Sequence, residues 1–265
     1  MAIIRAYLAP HPPLIFPEIG RGEERAIQAT IDSYERMGAE IRSSAPDTVV
    51  VVSPHSVMYR DYLHISPGRG ASGNMGAFRA PQVKVTVDYD ETFVSRLCAR
   101  AEEGGVPAGT EGERDPSLDH GTMIPLRFIG KGDYRVVRIG IASLPLAVHA
   151  ALGRAIDSVS AELGRKTVFI ASGDLSHRLK EDGPYGFAPE GPAFDRKILG
   201  LIKNNTISGV FSLEAGLCEG AGECGLRPLA VLAGVLEGRK HRSELYSYEG
   251  PFGVGYALAG FVPDS

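Results

Sequence analysis

Seven histidines occur in the 265 residues, and four of them, His11, His55, His120 and His177, stand in Gly-, Pro- or Asp-rich segments at the junctions between elements rather than on apolar faces. An imidazole offers a neutral nitrogen to a borderline metal ion and also titrates near neutral pH, so these four could share metal ligation and proton transfer. One such histidine alone is ordinarily a loop or capping residue; four in equivalent surroundings suggest a common use. His64, His149 and His241 lack those surroundings and read as structural or surface residues.

The elements that must position them follow from the pattern of apolar residues. The apolar run 2–8 stops at Ala9-Pro10-His11-Pro12-Pro13, where the prolines exclude both a helix and a ladder. Residues 47–53 hold four consecutive valines with no polar alternation, as a central strand covered by helices on both faces requires, and lead into Pro54-His55. The run 166–171 leads into Ser172-Gly173-Asp174-Leu175-Ser176-His177. Three histidines thus follow strands, and in open α/β sheets ligands bind in the crevice beyond the carboxyl ends of the strands. Ile27, Ile31, Tyr34, Met37 and Ile41 recur at helical spacing within 23–42, and further helices are predicted over 91–103, 147–163, 192–202 and 224–236. Residues 134–141 form another strand, and 245–248 pairs with 255–261. Between 61 and 90, short β-like runs flank Gly68-Arg69-Gly70-Ala71-Ser72-Gly73, read as a hairpin or a mobile excursion beside the site. That loop lacks the strand-then-helix setting of a phosphate cradle. The pattern predicts one α/β domain over 1–265, with a central mixed, mostly parallel sheet flanked by helices on both faces.

Composition narrows the function. The 28 Lys+Arg against 32 Asp+Glu give a net charge of −4 with no basic run, which disfavours nucleic acid as a partner. There is no stretch of about 18 apolar residues and no signal-peptide pattern at the N-terminus, so no membrane span is predicted and a cytoplasmic location is expected. The three cysteines, Cys98, Cys218 and Cys224, show no C-x-x-C spacing, against a disulfide framework or a structural zinc site. Asp119 and Asp174 read equally well as orienting carboxylates or as turn and N-cap residues. Arg227 could steer an anionic substrate group or cap a helix start.

Five segments, in order along nearly the whole chain, resemble the landmarks of class III extradiol ring-cleavage dioxygenases. They are Leu8-Ala9-Pro10-His11-Pro12-Pro13, the valine run ending at Ser53-Pro54-His55, Leu118-Asp119-His120-Gly121-Thr122, Ser172 to His177, and Glu223-Cys224-Gly225-Leu226-Arg227-Pro228. They are most similar to the subgroup that includes the Memo proteins and the dioxygenase-like domain fused to AMMECR1-type domains. The resemblance implies a catecholic aromatic diol and O2 as substrates, cleaved at Fe(II) held by His11, His55 and an acidic residue, with His177 as acid/base and His120 lining the substrate pocket. Zinc, in a hydrolase, or copper, in a Memo-like binding or redox protein, are the alternatives. For the third ligand the resemblance leaves two neighbours: Glu223, preferred because an oxygen donor suits an Fe(II) oxygenase site, and Cys224, the residue type Memo-like proteins carry there. A homodimer and an AMMECR1-type partner protein are the associations it leaves open.

Overall fold

Valines and isoleucines on alternate sides of the central strands give the sheet two apolar faces, and helices close over both. The computed structural model describes residues 3–112 and 117–264; residue 2, the start of the first predicted strand, lies outside them. In chain order the elements are β1 (Ile3–Ala9), α1 (Pro17–Gly20), α2 (Gln28–Ser44), β2 (Thr48–Ser53), β3 (Leu63–His64), β4 (Gly70–Met75), β5 (Ala80–Asp88), α3 (Glu91–Glu103), β6 (Ala108–Gly109), α4 (His120–Ile129), β7 (Arg135–Gly140), α5 (Leu146–Glu162), β8 (Thr167–Ser172), α6 (Glu190–Lys203), α7 (Ala215–Ala221), α8 (Leu226–Val235), β9 (His241–Glu249) and β10 (Tyr256–Pro263).

The main sheet runs β7-β2-β8-β1-β10-β9. The first four strands in that order are mutually parallel, whereas β10 runs antiparallel to β1 and β9 antiparallel to β10. The sheet is therefore mixed and mostly parallel, with the two C-terminal strands paired at one edge, as the sequence predicts. On one face Val50, Val52 and Phe169 pack against Phe93 and Leu97 of α3, Leu152 and Ile156 of α5, Phe194 of α6 and Leu229 of α8. On the other, Val49, Val51, Val168 and Ile170 meet Tyr34, Met37 and Ile41 of α2 and Met123 and Leu126 of α4. Burying both faces leaves no solvent side, which is why the strands read as continuous apolar runs.

Helices α5 and α8 approach closely at glycines. A Cβ on Gly153 would lie 2.1 Å from the Val231 carbonyl oxygen, and one on Gly234 would lie 2.1 Å from that of Ala150. The Gly-rich segment belongs to a hairpin, β4 paired antiparallel with β5. The short helices α1 and α7 and the longer α4 were not predicted, and α4 has a physical reason for it. Most of its residues are buried and Pro125 lies inside it, so it carries neither a polar stripe nor an uninterrupted helical pattern. No helix among the described residues is long and apolar enough to cross a membrane.

Candidate metal centre

The parallel strands deliver their carboxyl ends to one side of the molecule, and the chain leaving them carries the candidate ligands. After β1, the Tyr34 hydroxyl donates to the Pro10 carbonyl, and the His11 amide donates to Asp174 Oδ1 at 2.7 Å. The His11 ring is held by a chain of bonds that begins with a proline. Pro125 has no N–H to offer the carbonyl one turn back, that of Gly121. That carbonyl instead accepts from Ser172 Oγ at 2.6 Å. With its proton committed there, Ser172 Oγ accepts from His11 Nδ1–H at 3.0 Å, which fixes the tautomer and leaves the lone pair on Nε2.

His11 Nε2 is the focus of the site. It lies 3.0 Å from His55 Nε2, 3.5 Å from Cys224 Sγ and 4.0 Å from Asp174 Oδ2. Two sets of ligand atoms within 4.8 Å of one another converge on it, one with His55 and His120 and the other with Asp174 and Cys224. The rings pack as a cluster, with centroids 4.7 Å apart for His11 and His55, 4.1 Å for His55 and His120, and 5.3 Å for His11 and His120. Phe78 meets the His120 ring edge-on at 5.1 Å.

Electrostatics keep these rings neutral. Burial, then the neighbouring His55, lowers His11 to about 3. Burial, then His11 and His55, lowers His120 to about 3, and burial lowers His55 against the opposing pull of Asp119 and Asp174. Burial pushes Asp174 up to about 6, with the His11 amide opposing, and pushes the Cys224 thiol well above its ordinary range, with Asp174 adding to the effect. A bound cation would reverse the last two tendencies.

The residues expected to act are placed as follows. His11 and His55 face one another through their Nε2 atoms, and His120 stands beside them. Glu223, expected as the acidic ligand, belongs to neither ligand set. Its Oε2 accepts the Leu226 N–H at 2.6 Å and so satisfies the free N-terminus of α8, while its neighbour Cys224 turns toward His11 and accepts the Asp174 amide at 3.2 Å. His177 also lies outside both sets. Its backbone N–H donates to Ala221, its ring lies 5.1 Å from that of Tyr185, and its Nε2 is buried with no hydrogen-bond partner among the described residues. Of the two carboxylates left open between orienting a histidine and serving as turn or cap residues, Asp119 caps α4 and Asp174 accepts the His11 amide. Sequence reasoning passed over Ser172 and Arg138. The signal for Arg138 was a charge in the middle of an otherwise apolar stretch, 136–140, of β7.

Parallel strands that lead into clustered histidines give an open α/β architecture with a candidate metal centre beyond the carboxyl ends of its strands. The chain belongs to the family of the catalytic LigB subunit of aromatic ring-opening dioxygenase, which it matches over residues 5–259. It is 41% identical to Protein CA_C1420 of Clostridium acetobutylicum over 97% of its own length and 57% of that protein's, so it spans little more than half of that relative. It is 25% identical to the 2-aminophenol 1,6-dioxygenase beta subunit of a Pseudomonas species, covering 80% of this chain and 77% of that one. It is 30% identical to a MEMO1 family protein of Aeropyrum pernix, covering 77% and 66% respectively.

Proposed function

We propose that this protein is a non-haem metal oxidoreductase that opens a dihydroxylated aromatic ring with O2, with Fe(II) as the metal and His11 and His55 as two of its ligands. The observation that carries the reading is the pair of Nε2 atoms 3.0 Å apart, with His11 Nδ1 engaged by Ser172 Oγ so that its Nε2 keeps the lone pair. Such a pair needs a proton or a cation to join it, and two nitrogens each about 2.0–2.1 Å from one first-row ion stand about 3 Å apart when they are neighbours around it. The donor set therefore fits the metal that the family implies. When bound, that metal supplies Lewis acidity and redox capacity for a diol and O2.

The chain's own residues then have separate tasks. His177, neutral and with an uncommitted Nε2, takes a hydroxyl proton from the substrate at that atom and returns it as the ring opens. His120 and Phe78 form an aromatic wall for the ring, and Asp174 holds the His11 backbone.

A second reading rests on one further observation: Cys224 Sγ, rather than the Glu223 carboxylate, faces His11 Nε2. A thiolate donor suits a softer metal such as copper and fits a Memo-like protein that binds metal without cleaving rings. Anaerobic Fe(II) loading followed by oxygen uptake against a panel of catechols and 2-aminophenol separates the two. Ring-opened product, reduced about 10²-fold or more in His177→Gln with iron retained, supports the oxygenase. Tight metal binding that is lost in Cys224→Ala and kept in Glu223→Gln, with no turnover on any diol, supports the second reading.

A further inference from the structure

Arg138 lies inside β7 with 3% of its side chain exposed, and its guanidinium is 3.2 Å from Asp119 Oδ2. The Asp119 carboxylate also accepts from Ser53 Oγ at 2.5 Å, from the Thr122 amide at 2.9 Å and from Thr122 Oγ1 at 2.8 Å. These bonds form two arms. Ser53 is the last residue of β2, and its Oγ accepts the His55 N–H at 3.2 Å, so one arm ends on the His55 backbone. The other is the cap of α4, whose first residue is His120. One carboxylate thus fixes the chain at both His55 and His120.

Capping a helix needs no arginine. A serine or asparagine serves as well, and a buried ion pair is weak as a stabiliser because desolvation offsets its attraction. What the pair does provide is a fixed carboxylate between β2 and α4, and with it a fixed spacing of the two histidines. We propose that Arg138 is a positioning residue for the metal centre, acting through Asp119 and Ser53 to hold His55 where it can share an ion with His11. The proposal rests on the reading that these histidines hold a metal.

The test uses Co(II) as a spectroscopic probe on the full chain, with affinity read by competition against a chromophoric chelator, the visible spectrum reporting ligand geometry, and melting of the metal-free protein followed in parallel. Arg138→Met alone would strand a buried carboxylate, so it is paired with Asp119→Asn. The double variant is expected to melt cooperatively, to bind Co(II) tenfold or more weakly and to show shifted visible bands. Arg138→Lys is expected to recover most of the affinity. Ser53→Ala, which leaves the ion pair intact and cuts only the His55 arm, is expected to show the same loss and keeps the test available should the double variant not fold. Wild-type affinity and spectrum in the folded double variant, or in Ser53→Ala, would overturn the proposal. A wild-type protein that binds no Co(II) would instead sink the metal reading itself, and this inference with it.

Discussion

Asp195 on α6 offers a pH-dependent stability that can be isolated with one substitution. The side chain is 1% exposed. Its Oδ1 accepts the Ser176 N–H at 2.8 Å and its Oδ2 accepts the Tyr248 hydroxyl at 2.7 Å, which ties the segment before His177 to α6 and β9. Burial outweighs those two bonds and raises the carboxyl from 3.8 to about 6. A raised folded-state value means that the folded protein holds the proton more tightly than the unfolded chain does. The associated stability is fully present below about pH 4 and is lost as pH rises through about 6. A shift of about two units corresponds to about 3 kcal/mol. Asp195→Asn keeps the shape, retains an oxygen for the Ser176 amide, and offers an N–H to the Tyr248 oxygen. In urea melts of metal-free protein from pH 4 to 8, the two proteins should be similar at the acid end. The variant should become more stable by about 2–3 kcal/mol above pH 7. A stability difference that stays constant across this range would refute the reasoning.

Other outcomes follow from single contacts. Tyr34→Phe removes the donor to the Pro10 carbonyl and should cost about 1–3 kcal/mol in denaturant melts, with weaker metal binding because His11 loses its anchor; unchanged stability would show that water replaces the hydroxyl. Gly234→Ala places a methyl 2.1 Å from the Ala150 carbonyl oxygen and should destabilise by about 1–3 kcal/mol as α5 and α8 separate, with an unaltered melting temperature as the contrary result. Glu223→Gln preserves an acceptor for the Leu226 amide, so metal content measured by elemental analysis should stay at the wild-type level, and its loss would return Glu223 to the ligand set.

The strand ends and the histidines beyond them were legible in the sequence because both signals are local. Four valines in a row before Pro54-His55, and an apolar run stopped by prolines around His11, need no tertiary information. The segment order carried the family for the same reason, since the landmarks are short and contiguous. Helix α4 was hidden because burial on nearly all sides removes the polar stripe that makes a helix visible. The separate placements of the Glu223 and Cys224 side chains were also out of reach. Adjacent residues entering a helix point in different directions, and only the packed position of α8 decides that the carboxylate takes the Leu226 amide while the thiol meets His11, 213 residues earlier in the chain. The same holds for the contacts of Arg138 with Asp119, of Asp119 with Ser53 and of Asp174 with the His11 amide. Their partners lie on separate strands and helices, so their roles arise where the sheet brings the chain together.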